Sequence, residues 1–162
     1  MRTWTMIVLF ATCLAGCGGK SAADYQRDAQ AALDARDTEK AIQVSEEGLA
    51  QDAVKKDAPA AWRLEQIRLE ALAQAGKGAQ VKTELDRLAT AYPKQMNASL
   101  YRSLADKAKG GGDTAGAIEI LTAGDKRFPD EHATFADAIT ALKNAGELDP
   151  GQVERLRSLG YL

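Results

Sequence analysis

Asp37-Thr38-Glu39-Lys40-Ala41-Ile42 returns as Asp113-Thr114-Ala115-Gly116-Ala117-Ile118, and Gly48 and Gly124 follow their copies at the same distance. Each hexapeptide opens with an acid able to cap a helix N-terminus and places a small residue four positions later. Between the copies, Gly76 to Val81 takes the equivalent place, and the aligned positions Ala41, Val81 and Ala117 lie 40 and 36 residues apart. A period of that size marks stacked helical pairs, each too small to bury its apolar face alone. The chain therefore reads as all-α, with antiparallel helix pairs stacked side by side.

Helix breaks flank these segments at regular intervals. Gly76, Gly78, Gly110-Gly111-Gly112 and Gly146 supply backbone freedom that ends helices. Tyr92-Pro93 and Phe128-Pro129 end others, because the residue before proline is pushed out of helical geometry. Asp149-Pro150 pairs a capping acid with a first-turn proline. The breaks predict helices at about 22–35, 38–53, 59–75, 77–91, 95–109, 113–127, 131–145 and 150–159. Composition agrees, with alanine and leucine abundant and only 6% aromatic residues.

The repeat resembles the tetratricopeptide family. The unit formed by the fifth and sixth helices matches best: Tyr101, Leu104, Ala105, Ala117, Leu121, Gly124 and Pro129 stand where that family places its bulky, small and closing residues. The preceding unit matches through Leu69, Leu72, Val81, Leu85, Leu88 and Pro93, with Trp62 outside the register. The first unit matches through Tyr25, Ala29, Ala41 and Gly48, with Ser45 where a bulky residue is usual and an inserted Ala58-Pro59. A fourth begins with Phe135, Ala138, Ile139 and Leu142. The resemblance implies a short superhelix of about eight helices, with repeats over residues 22–146 and a capping helix within 147–162. Val153, Leu156 and Leu159 are expected on the apolar face of that cap.

Family members line a concave groove with first-helix residues. Carried onto this chain, those positions are Gln26 and Gln30, then Arg63, Gln66 and Glu70, then Arg102, Asp106 and Lys109, and finally Thr140 and Lys143. The resemblance implies a groove for an extended peptide or a partner helix. The Lys/Asn pattern by which some members clamp a terminal carboxylate is missing, so that specificity does not carry over.

The N-terminal segment points to a location. Arg2 precedes an uncharged stretch from Trp4 to Ala15, which is too short to span a bilayer comfortably and reads as a signal peptide. It finishes Leu14-Ala15-Gly16-Cys17, which resembles the lipobox of bacterial lipoproteins at all four positions. That resemblance implies cleavage after residue 16, acyl chains on Cys17 and a linker over 17–21. Two or more acyl chains hold a protein stably to a membrane. Gly18 stands where an aspartate would favour inner-membrane retention. The resemblance thus implies an outer-membrane anchor with the body facing the periplasm.

Charge and chemistry exclude other classes. The formal charge of −2 becomes −3 once Arg2 leaves with the signal, which gives no reason to expect nucleic acid. With Cys13 removed and Cys17 acylated, no thiol remains for a disulfide, a zinc site or catalysis. The lone histidine, His132, follows Asp130-Glu131 and lacks a second metal-ligating partner at helical spacing. Gly110-Gly111-Gly112 lacks the lysine and hydroxyl of a phosphate loop. The expectation is a lipoprotein that binds a protein partner without catalysis or a cofactor, its covalent lipid aside; the alternative is an envelope spacer with no groove ligand. Replacing Cys17 (Cys17→Ala) is predicted to leave a larger, unacylated precursor by gel mobility and palmitate labelling. Normal processing of that variant would contradict the lipobox reading.

Overall fold

The computed structural model describes residues 20–162; the signal segment and the lipobox residues Leu14, Ala15, Gly16 and Cys17 lie outside the described residues. The described residues form helices α1 (Ala22–Asp34), α2 (Thr38–Ala50), α3 (Asp52–Lys55), α4 (Ala58–Gln74), α5 (Gly78–Ala91), α6 (Ala98–Gly110), α7 (Thr114–Arg127), α8 (His132–Asn144) and α9 (Pro150–Ser158). No strand occurs among them. None of these helices is long and apolar enough to cross a membrane.

Each start has a local cause. Ser21 and Asp24 form a reciprocal capping box at α1, and Asp149 and Gln152 form another at α9. Asp37, Asp57 and Asn97 accept from the third amides of α2, α4 and α6. The Asn97 cap moves the start of α6 to Ala98, later than the expected 95, because residues 93–95 form a turn after Tyr92. The helix expected over 38–53 stops at Ala50, and the insertion before Asp57 winds into the single turn α3. That turn is not wasted length: Val54 is buried in the first core. A short 3-10 segment over Pro129–Glu131 likewise precedes α8.

The helices pack as contacting pairs, α1 on α2, α4 on α5 and α6 on α7, with α1, α4 and α6 side by side in one row. The row is parallel: Gln26 meets Ala60 and Gln30 meets Arg63 in step along α1 and α4, and Glu70 and Gln74 of α4 meet Lys107 and Gly111 at the end of α6. All hairpin turns therefore gather at one end of the stack, and the starts of α1, α4, α6 and α8 gather at the other. The turns share a backbone device: Arg36, Gly76, Gly112 and Gly146 each adopt positive φ, at +59°, +67°, +86° and +71°.

Two glycine contacts repeat 76 residues apart and let the pairs close. A Cβ on Gly48 would lie 2.7 Å from Leu64 Cδ1 and 2.9 Å from Tyr25 Cβ; one on Gly124 would lie 2.6 Å from Phe135 Cε1 and 3.0 Å from Tyr101 Cβ. In each case the glycine of the second helix receives an aromatic residue of its own first helix and a bulky residue of the next. Ala41 and Ala117 are buried, at the positions where the sequence calls for small residues. The interior forms two clusters, one around Leu64 and Ile67 and one around Leu85, Tyr101, Leu104 and Phe135, with Ile42 and Tyr92 packed against both.

The cap departs from expectation at one residue. Leu156 is fully buried and Val153 half-buried, but Leu159 is 50% exposed. Helix α9 ends at Ser158, so Leu159 leaves the apolar face, and Tyr161 and Leu162 pack on the second core instead.

The tightest join lies between the second and third hairpins. Lys77 occupies the capping place of α5 and makes no side-chain cap. Asp113 serves both helices: its Oδ2 accepts from Gly78 N at 2.8 Å and its Oδ1 from Gly116 N at 2.7 Å. The two glycines permit this, since a Cβ on Gly78 would stand 2.4 Å from the Gly116 Cα. A single N-cap contributes about 1 kcal/mol. Asp113→Ala is therefore predicted to destabilise the body by roughly 2 kcal/mol, about twice the effect of Asp37→Ala, because it uncaps two helices. Chemical denaturation of the two variants measures the ratio, and equal losses would contradict the double cap.

Candidate binding site

The gathered turns and the ends of α1, α4 and α6 enclose an open concavity of about 640 Å³. Gln30, Asp34, Arg36 and Thr38 line it from the first hairpin, Glu70 and Gln74 from α4, and Lys107 with Gly110 and Gly111 from α6. Its lining alternates side-chain amides with charges of both signs. Lys107 Nζ sits 3.2 Å from Glu70 Oε2, and Gln30 Nε2 donates to Asp34 Oδ1 at 2.8 Å. Arg36 makes no side-chain hydrogen bond or ion pair among the described residues, so its guanidinium is available to a ligand.

Arg36 is set apart by its backbone as well. Of the positive-φ turn residues it alone carries a side chain. A left-handed conformation costs a side-chain-bearing residue roughly 1–2 kcal/mol. Strain of this kind concentrates at functional positions. Here it falls on the one turn whose side chain lines the concavity.

The residues singled out from the sequence do not converge on a single groove. Gln30 and Glu70 line the concavity, and Arg63 Nη2 donates to Gln30 Oε1 at 3.2 Å beside it. Gln26 lies towards the opposite end, with Nε2 donating to the Ala60 carbonyl at 3.3 Å. Arg102 and Asp106 line a shallower neighbouring hollow with Ser99, Ser103 and Lys107. Gln66 is half-buried on α4 and lines neither space. Lys109 is ion-paired to Glu147 at 3.0 Å. Thr140 and Lys143 belong to α8, which contributes nothing to the concavity. Asp34, Arg36, Gln74 and Lys107 went unmarked in the sequence; the doublet Arg36-Asp37, facing Gly112-Asp113 in the other copy, was the available signal.

Two other polar clusters serve the architecture. Glu65, buried on α4, contacts Arg87 at 2.6 Å and Arg68 at 3.2 Å, and Glu84 of α5 contacts both arginines. Burial alone would raise the Glu84 carboxyl, but the hydrogen bond from Arg87 and the charge of Arg68 outweigh it and hold it below the usual carboxylate range. Burial would likewise lower Arg87, yet its bonds to Glu65 and Glu84 raise it. The four charges close a ring that pins α5 to α4. Near the other end, Asp125 accepts from the Tyr161 hydroxyl and lies 2.9 Å from Nδ1 of His132, whose side chain is otherwise mostly exposed. Burial and the Asp125 contact raise the Tyr161 phenol. These bonds fasten the segment after α9 to α7 and α8. Among the described residues, no group of three or more His, Cys, Asp or Glu side chains is placed to hold a metal ion.

Comparisons with family models, curated proteins and solved structures return no match for this chain. Relieving the strained turn by Arg36→Gly is predicted to stabilise the body by about 1 kcal/mol, in line with the glycines of the other turns. A melting temperature equal to or below that of the wild type would contradict the strain.

Proposed function

We propose that this chain is a lipid-anchored, tetratricopeptide-like binding module of the bacterial envelope, which holds an extended polypeptide segment of a partner protein at the turn-end concavity. The observation that carries the reading is the lining itself: side-chain amides, acids and bases around a strained Arg36 that is unpaired among the described residues. Amides can donate to and accept from a peptide backbone, and opposite charges select side chains along it. A small apolar ligand would need a mostly hydrophobic, enclosed pocket, which this space is not. The stacked hairpins support the repeat resemblance, and the lipobox motif supports anchoring through Cys17.

No catalytic role is assigned, and the reading requires no cofactor beyond the lipid on Cys17. Its location at the outer membrane, facing the periplasm, rests on the signal segment and Gly18.

Placing a photo-crosslinking residue at Gln74 in living cells tests the binding role, with Lys82 on the α5 side as the control position. The expected outcome is a discrete polypeptide adduct at position 74, absent at 82 and lost when Arg36→Glu and Lys107→Glu are added. Adducts indifferent to position and charge would contradict groove recognition and leave the spacer role standing.

A further inference from the structure

We infer that the stack stands on the membrane by the end that carries the starts of α1, α4, α6 and α8, so that the concavity opens away from the bilayer. The inference rests on the proposed anchoring at Cys17 and adds an orientation to it.

Covalent reach limits how the body can stand. Only residues 18–20 separate Cys17 from Ser21, the cap of α1. Those four peptide steps span at most about 14 Å, whatever path they take. Helix α1 has 13 residues and is about 20 Å long. A tether shorter than the helix lets α1 tilt but not invert. The turn at Arg36 therefore cannot be the end of α1 that rests on the bilayer. Because α4 and α6 run parallel to α1, their turn ends share its side of the stack, and so does the concavity they line.

The distribution of aromatic residues points the same way without the tether. Every aromatic side chain among the described residues lies in the half of the stack nearest Ser21. Tyr25, Tyr101 and Phe135 are each the fourth residue of their helices, and Trp62 is in the second turn of α4. Tyr92 and Phe128 cap the ends of α5 and α7, and Tyr161 is bonded to Asp125 of α7. Tyr101 and Phe135 are wholly buried and explained by packing; Tyr25, Trp62, Tyr92, Phe128 and Tyr161 remain partly exposed. Trp62 and Tyr92 form a tilted pair with ring centroids 5.3 Å apart. Half-exposed tryptophan and tyrosine suit the headgroup layer, where one part of the ring is apolar and the rest is wet. Leu159, the one large exposed hydrophobic residue of the described chain, is at this end too. Lys56 and Lys94, exposed here and without an ion pair among the described residues, can meet anionic headgroups.

The acylated full-length protein, reconstituted in phosphatidylethanolamine–phosphatidylglycerol vesicles, tests the orientation. With Cys17 acylated, a single cysteine at Lys56, Lys94, Lys77 or Asn144 takes a fluorophore alone. Lipids carrying a headgroup spin label quench only at short range. The expected result is flotation with the vesicles, loss of fluorescence at 56 and 94, and none at 77 and 144. Flotation with equal quenching at both ends, or with quenching confined to 77 and 144, would overturn the orientation while leaving anchoring intact. Failure of the wild type to float, matching Cys17→Ala, would overturn anchoring and the orientation with it. Thermal unfolding unchanged from wild type confirms that each labelled variant is folded.

Discussion

A single carboxylate sets the spacing of the stack. Asp113 binds the first-turn amides of two helices from different hairpins, and it can do so only because Gly78 and Gly116 bring those backbones into contact. A side chain at either glycine would drive the helices apart and pull one amide off the carboxylate. The amides concerned belong to the group that a helix leaves without internal partners, so bonding them outside the helix stabilises both starts at once. A local capping rule thereby becomes a contact between repeats.

The concavity follows from that contact. With α5 and α7 held start to start, the turns before them lie side by side, and a Cβ on Gly76 would come within 3.1 Å of the Gly111 carbonyl. The first hairpin joins on the same side through the Gln30–Arg63 bond. Three turn ends then surround one open space, faced by polar side chains from the C-terminal parts of α1, α4 and α6 together with Arg36 and Thr38 of the first turn. Charged rings elsewhere close on themselves. The Glu65–Arg68–Glu84–Arg87 cluster has its charges matched within the body, whereas Arg36 at the concavity finds no opposite charge among the described residues. That contrast in pairing separates a site from a clasp.

Much of the fold is legible in the sequence because its determinants are local. Capping acids, glycines after helix ends and the residues before proline act within a few positions, so most helix limits fall within one residue of expectation. The exceptions are also local in cause: the Asn97 cap shortens α6, and the insertion before Asp57 winds into α3. The site is less legible because its members meet through stacking. First-helix positions spread along whole helices, whereas the concavity gathers only their final turns. Gln30 and Glu70 therefore line it, and Gln26, Gln66, Thr140 and Lys143 do not. Arg36 was hidden by its place in a turn, where a polar residue excites no notice until its φ of +59° is seen. The sharing of Asp113 was hidden because nothing in one repeat announces that its neighbour lacks a cap.

Amide hydrogen exchange at Gly78 and Gly116, read by nuclear magnetic resonance, tests the join between hairpins most directly. Both are first-turn amides, which ordinarily exchange fast because no helical carbonyl protects them. With Asp113 bonded to both, the two amides are expected to be strongly protected and to lose protection together as denaturant opens the stack. Rapid exchange at Gly78 with protection only at Gly116 would show that Asp113 caps its own helix alone, and the architecture built on the shared carboxylate would fall.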